Sequence, residues 1–447
     1  MSLFAQRSGL LATENAFMLG PLIRDLEEHG HRVIKCNLGE PDFPLPAHVR
    51  EEVKRQLDLD NTHYSDPQGL PSLRRAVAAH VAETRGIAVD PERVVVFPGA
   101  KPPIGLCQQT YVEPGDEVVY PSPGFPIYES FTRYVGAVPV PVHLREEKGF
   151  ALDGDDLAPL LGPRTKLVYL NFPSNPTGGV ATPEQLAELA AVIVHYASHD
   201  VRIYSDEVYE DILFDGARHC SIASVPGMER RTIIVSGVSK SYAWTGGRLG
   251  WAVFPTVEEA RVFKNLNINY YSSFPPYNQE GARLALESPL SRESIATMVA
   301  AFQERRDRVV AGLNAIPGIH CGKPRGTFYV FPNVAGACRR LGAIEAWESM
   351  PAGLRQRSSP STLLQRFLLL RHHVATLDRR SFGTIGSEGK HYLRISIATA
   401  MADLEEAVAR ITRALEDSAG FRAFFADEIG IPPAAVAPSR EEVVHVV

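Results

Sequence analysis

The run Ser236-Gly-Val-Ser-Lys240-Ser-Tyr-Ala-Trp-Thr-Gly-Gly-Arg248 sets a hydroxyl, an amine and a guanidinium within one short segment. A lysine withdrawn from water loses its proton readily and can attack an aldehyde to form a Schiff base. Ser239 beside it and Arg248 downstream supply a hydroxyl and a guanidinium fork suited to gripping a phosphate. An isolated lysine is ordinarily a solvated surface cation, so it is these neighbours that favour chemistry at Lys240.

Three further runs are compatible with the same site. In Asn171-Phe-Pro-Ser-Asn175-Pro-Thr-Gly-Gly the dipeptides Asn-Pro and Thr-Gly mark a loop, which accounts for the run except for its second asparagine. Tyr204-Ser-Asp206-Glu-Val-Tyr209 puts a carboxylate at the tip of a strand. Buried there it needs a cation such as a protonated pyridine nitrogen, and the alternative is an aspartate capping a following helix. Pro98-Gly99-Ala100-Lys101-Pro102 reads as a strand, a turn and a helix opened by proline. The free N–H groups of such a helix start favour phosphate, although the signal is weak alone.

The elements that must position these groups form a rhythm. Short β-branched runs recur at Val94–Phe97, Glu117–Tyr120, Val138–Val142, Lys166–Phe172, Val201–Asp206, Thr232–Val235 and Leu249–Phe254. Helical stretches separate several of them; the clearest is Pro183–Ser198, where Leu186, Leu189, Ala190, Ile193 and Val194 fall at helical spacing behind Thr182 and Pro183. Strands apolar on both faces and alternating with helices predict a mainly parallel sheet in an α/β fold. The flanks differ. Residues 14–30 read as helix, Val33–Leu38, Gly326–Phe331 and His391–Ala398 as strands, and Asp403–Leu415 as an amphipathic helix. The expected organisation is a large α/β domain over 61–324 and a smaller α+β domain from 1–60 and 325–417, with a tail over 418–447. The Gly-, Pro- and Ser-bearing stretch Ala335–Ser361 reads as an insertion.

Composition narrows the function. Of 447 residues, 45% are hydrophobic and 22% charged, as in ordinary globular proteins, and the net charge of −6 with no basic tract argues against nucleic acid as a partner. No stretch reaches the ~20 apolar residues of a membrane helix, and Met1–Gly20 has no secretory pattern. Five scattered cysteines without a C-x-x-C pair fit reduced thiols in a cytoplasmic protein. The fourteen histidines form no ligand-spaced cluster beyond His372-His373, so no metal is expected.

Taken together, these runs resemble the class I/II aminotransferases of the aspartate aminotransferase kind, which are pyridoxal 5′-phosphate enzymes of fold type I. The likeness spans about residue 12 to 415. It also includes Thr13-Glu14-Asn15-Ala16-Phe17, Leu38-Gly39-Glu40-Pro41-Asp42-Phe43 and Tyr392-Leu-Arg394-Ile-Ser396. It implies that Lys240 forms the Schiff base and later shuttles the substrate proton, and that Asp206 keeps the pyridine nitrogen protonated. Asn175 and Tyr209 would hydrogen-bond the ring's 3′ oxygen. Phe125, in Ser122-Pro-Gly-Phe-Pro-Ile-Tyr128, matches the residue that stacks on the ring, though a core phenylalanine reads the same way. Gly99, Ala100 and Lys101 would cradle the phosphate with Ser239 and Arg248, and Tyr64 would reach a phosphate across a homodimer interface. Arg394 would fork onto the substrate α-carboxylate near the Gly39 backbone.

The chain departs from the family pattern in places. Gly237 stands where several relatives have a phosphate-binding serine, and the position of the distal-carboxylate arginine of some aspartate aminotransferases aligns near Asn269. Tyr270 and Tyr271 beside it suit a pocket for an apolar side chain or interface packing equally. The resemblance implies amino transfer from an L-amino acid to a 2-oxo acid by a ping-pong sequence. An elimination or C–S lyase reaction, an aminocyclopropane-carboxylate-type cyclisation or an oxidation on the same scaffold would share nearly every motif. A PLP-sensing regulator is disfavoured, because about a dozen residues precede the matching segment, too few for a helix-turn-helix.

Overall fold

The computed structural model describes residues 3–12 and 14–430. Thr13 of the opening motif and the end of the tail, 431–447 with Pro432–Pro438, lie outside the described residues. The described residues form twelve strands. β1 is Ile34–Lys35, β2 Val94–Phe97, β3 Glu117–Ser122 and β4 Val138–His143; β5 is Thr165–Asn171, β6 Arg202–Asp206, β7 Thr232–Gly237 and β8 Gly250–Val253. β9 (Tyr329–Val330), β10 (Val374–Ala375), β11 (Leu377–Asp378) and β12 (Leu393–Ser396) are short.

Seven strands make one sheet in the order β2-β8-β7-β6-β5-β3-β4. β8 runs antiparallel to β2 and β7; the other pairs are parallel. All seven expected strands are therefore in it, within a residue or two of their expected ends. β2, β7 and β8 are buried throughout, as unbroken apolar runs between helical layers require. β4 carries Pro139 and Pro141, and it lies at the sheet's edge, where a missing N–H breaks no ladder. The expected helix after Thr182 spans Pro183–Tyr196 and has a capping box with Gln185, a feature that contributes about 1 kcal/mol. No helix among the described residues is long and apolar enough to cross a membrane.

Several flanking expectations need correction. The helix over 14–30 is two helices, Asn15–Met18 and Gly20–Glu28, with Pro21 opening the second. The strands expected at Val33–Leu38, Gly326–Phe331 and His391–Ala398 shrink to β1, β9 and β12. Each pairs over only two registers, β1 with β10, and β12 with β9 and β11, because those partners are themselves two residues long. The stretch read as an insertion, Ala335–Ser361, is helical rather than loop. It folds into helices Ala335–Leu341, Ala343–Glu348 and Ala352–Arg355, and Cys338, Leu341, Ala343 and Met350 are buried in a core shared with β9 and β12. All five cysteines are free; four are buried and Cys220 is half-buried.

The tail begins as a helix, Ser418–Gly430, rather than as loose chain. Its Phe421 and Phe424 close on Phe367 of helix Pro360–His372, with ring centroids 5.3 and 5.4 Å away. Arg366 and Arg371 pair with Glu428 and Asp427. Phe421→Ala is expected to cost about 3 kcal/mol, the usual price of emptying a buried phenylalanine site, read as a lower urea midpoint at unchanged slope. An unmoved midpoint would mean that the helix does not seal this core.

Candidate active site

Strand direction brings the chemistry together. The carboxyl ends of β2, β5, β6 and β7 lead to Gly99, Asn171, Asp206 and Lys240, and β8, running the other way, starts at the same edge just after Arg248. The strand order reverses between β3 and β5, and such switch points open a crevice. A cavity of about 520 Å3 lies there. Lys240, Asp206, Tyr209, Asn175, Phe125 and Arg394 line it, as do Gly39, Ala100, Lys101, Ser239 and Arg248.

Asp206 is fully buried at the end of β6. Its Oδ2 accepts a 2.5 Å hydrogen bond from Tyr128 Oη, and its Oδ1 has no partner. Burial pushes its carboxyl up to about 6 against the opposing Tyr128 bond. The helix-cap alternative fails, since a turn rather than a helix follows. Asn171 ties this tip to the next loop: its Nδ2 donates to Asp206 O (3.1 Å) and its Oδ1 accepts from Asn175 N (2.8 Å). Lys240 Nζ donates to Gly39 O at 2.6 Å. Burial, joined by the charge of Arg394, lowers its ammonium to about 8.

Arg394, on β12, is buried. Its Nη1 donates to Asn175 Oδ1 (3.0 Å) and its Nη2 to Asn37 O (2.6 Å), while Nε is unpartnered. The guanidinium lies 4.3 Å from the Tyr329 ring centroid and 4.9 Å from that of Phe382, which holds its plane by cation–π contact.

On the opposite side three backbones crowd. A Cβ on Gly250 would come within 2.5 Å of Ala100 N, and one on Gly237 within 2.8 Å of Leu249 O. A serine at 237 would collide with the neighbouring strand, so Gly237 follows from this close packing. Gly99, at φ +97°, stands behind Arg248 rather than in the cavity wall; a Cβ there would meet Arg248 Nη2 at 2.6 Å. Arg248 itself donates to the carbonyls of Thr245 (2.8 Å) and Pro98 (3.2 Å).

With Gly99, two further expected residues depart from the shared wall or from their expected use. Tyr64 is 91% exposed and away from this cavity. The Lys101 side chain pairs with Glu14 and lies over Phe17 and Phe125 (5.5 and 5.7 Å), which leaves only its backbone for a cradle. Asn269, Tyr270 and Tyr271 are outside the wall of this chain's cavity; Tyr270 Oη bonds Gln109. The motifs missed Tyr128, Tyr329 and Asn37. Tyr329 Oη bonds Tyr209 Oη at 2.9 Å and sits where a Cβ on Gly39 would be. Only Tyr128 had a sequence signal, as the last residue of the Phe125 run.

These residues fit pyridoxal phosphate. The unpaired Oδ1 of Asp206 is a buried acceptor awaiting a cationic donor, Lys240 is a half-buried amine with a depressed pKa, and Arg394 has a spare buried donor.

Comparison with known proteins agrees. Residues 31–411 match the family model for Aminotransferase class I and II. The chain is similar to a probable aspartate/prephenate aminotransferase of Aquifex aeolicus, at 35% identity over 88% of this chain and 94% of that protein. It is also 35% identical to aromatic-amino-acid aminotransferase 2 of Thermococcus litoralis, over 88% and 94% of the two chains. Among solved structures, the aspartate aminotransferase from Rhizobium meliloti superposes with a TM-score of 0.83 at 31% identity, covering 93% of this chain and 99% of that one.

Asp206 supplies a test with two arms. Its proton is held more tightly folded than unfolded, so the stability it contributes at low pH is lost as pH rises from about 4 through about 6. Asp206→Asn in the cofactor-free protein is therefore expected to gain stability relative to wild type between pH 4 and pH 8, by about 2–3 kcal/mol, in urea titrations. The same variant should bind pyridoxal phosphate at least about tenfold more weakly, through loss of a charge-assisted bond. Unchanged affinity would remove Asp206 from the site.

Proposed function

The chain belongs to the class I and II aminotransferases and moves an amino group from an L-amino acid to a 2-oxo acid, and we propose that it does so with pyridoxal phosphate held in the Lys240 cavity. The observation that carries this is the buried, half-partnered Asp206 facing the same cavity as a lysine of lowered pKa. Asp206 would hold the ring nitrogen, Phe125 its face, and Asn175 and Tyr209 its oxygen; Ser239, Arg248 and the Ala100–Lys101 backbone would hold the phosphate. When bound, the group supplies an electron sink for the pair left by breaking the bond from Cα to hydrogen.

The protein's own part follows from its geometry. Arg394 binds the α-carboxylate through its unpaired Nε and the Nη donors beside it, with its plane fixed by Tyr329 and Phe382. That anchor orients Cα toward Lys240. With its ammonium at about 8, a sizeable fraction of Lys240 is neutral near physiological pH, and a neutral amine can take the Cα proton and return it. The amino group stays with the enzyme when the first oxo acid leaves, and a second oxo acid carries it away. The protein works as a homodimer with shared sites in this reading, which the near-complete exposure of Tyr64 supports. Free, mostly buried thiols fit a cytoplasmic setting.

The test is an absorbance spectrum of the cofactor-loaded protein, repeated with each L-amino acid and no oxo acid. One amino acid is expected to convert the band near that of the aldehyde form to the amine form and to release one equivalent of oxo acid. Steady release of ammonia, peroxide or pyruvate with the aldehyde band retained would overturn amino transfer. Arg394→Lys, which loses the fork, is expected to raise KM for donor and acceptor alike by roughly 10- to 100-fold, with cofactor still bound.

A further inference from the structure

A second charged layer lies directly behind the cavity, and the chemistry above does not use it. Along the turn that follows β6, Asp206 and Tyr209 line the cavity, while Glu207 and Glu210 are turned to Arg85, the last residue of helix Pro71–Arg85. Arg85 is 2% exposed. It donates to Glu207 Oε2 from Nε (3.0 Å) and Nη2 (2.7 Å), and Nη2 also pairs with Glu210 Oε2. The remaining oxygens run onward. Glu207 Oε1 accepts from Ser205 (2.7 Å) and Ser221, and Glu210 Oε1 from Ser236 (2.7 Å). Asp211, next in sequence and half-buried, accepts from Ser241. Ser236 and Ser241 bracket Lys240.

We infer that Arg85 is a positioning residue for the reaction: through Glu207 and Glu210 it locks the Asp206–Tyr209 turn to the Lys240 segment and balances the negative charge behind them. This rests on the reading of the cavity given above. One guanidinium pairs with two buried carboxylates, with His80 on Glu210 (3.2 Å) and His219 on Glu207 (2.9 Å) as the further basic groups there. Arg85 and His219 outweigh burial and hold Glu207 down to about 2. Without Arg85 the turn would carry two like charges at adjacent sites and nothing to draw them together. The helix end adds to the fit, because a helix C-terminus favours a cation. The two segments are joined at their strand ends by Glu207 N–H to Val235 O (2.8 Å), and the Arg85 layer adds a second tie behind them through Glu210 and Ser236.

The consequence reaches Lys240. Its charged and titratable surroundings are Arg394, Glu14, Glu40 and Lys101 on the cavity side and Asp206 at the floor. Behind lie Asp211, Glu210, Glu207, His80, His219 and Tyr242. Removing a positive charge from that second group makes the potential at Lys240 more negative, so its proton is held more tightly.

The experiment uses the full-length protein, cofactor-free. The pH dependence of labelling at Lys240 by an amine-reactive reagent is followed by mass spectrometry, and the affinity for pyridoxal phosphate by equilibrium dialysis. In Arg85→Gln the labelling midpoint is expected to rise from near 8 by about half a pH unit, and affinity to fall about tenfold or more. In Arg85→Lys the charge remains and the midpoint returns to the wild-type value, while the affinity loss persists because the fork is gone. A purely structural role would lower the melting temperature and leave both readouts unmoved in the folded fraction, which overturns the inference. If Arg85→Gln does not fold, Arg85→Lys and Ser236→Ala decide it, and wild-type affinity in both overturns it. Failure of wild type to bind the cofactor would count against the reading of the cavity; the labelling comparison needs no cofactor and still tests Arg85.

Discussion

A carboxylate buried with half of its hydrogen-bonding capacity unmet is the constraint around which this structure is arranged. Asp206 has one oxygen satisfied by Tyr128 and the other left bare at the floor of a cavity. Such a group is costly to bury, and it persists because the surrounding frame leaves it no way out. β6 is the middle strand of seven and cannot shift; Tyr128 is stacked on Tyr169 at 4.4 Å; Asn171 holds the Asp206 carbonyl. The cost becomes useful once a cation is placed opposite the bare oxygen. Lys240 shows the mirror image of the same physics, since burial that raises an acid lowers an ammonium.

The Arg394 end of the cavity follows a different logic. Arg394 comes from a short three-stranded sheet outside the main one, yet its partners are spread over the whole chain: Asn37 near the start, Asn175 after β5, and Tyr329 and Phe382 late. β1 pairs with β10, so the two flanks of the chain close beside this arginine. A carboxylate bound there touches groups from both flanks and from the central sheet at once. The tyrosine pair 209–329 and the tight fit of Gly39 against Tyr329 tie the same parts together.

Much of this was legible in the residues. The seven central strands were visible because strands buried on both faces leave unbroken β-branched runs, and the helix after Thr182 because its cap and its apolar stripe agree. The flanks were harder. β1, β9 and β12 are stabilised by partners two residues long and far away in sequence, so the local pattern overstated their length. The helices of Ala335–Ser361 were hidden because glycine, proline and serine usually mark loops, whereas here Gly342 at φ +82° ends one helix and begins the next beside a packed core.

At the site, the sequence by itself picked out side chains that the fold brings to one cavity: a lysine and an aspartate at strand tips, an asparagine beyond what a turn requires, and an arginine in a late strand. Those groups were legible because each sits in a short run that carries its own signal, even where a loop or a helix cap would also account for it. Tertiary structure alone decided the rest. Tyr128 as the partner of Asp206, Asn37 and Tyr329 around Arg394, and Arg85 behind the Lys240 segment are contacts between residues 65 to 357 apart. Glycine at 237 was a departure from a pattern until Leu249 and Gly250 were seen to fill the space of a side chain. Hydrogen bonding and burial act through distance in space, and a one-dimensional pattern records them only where the chain is its own nearest neighbour.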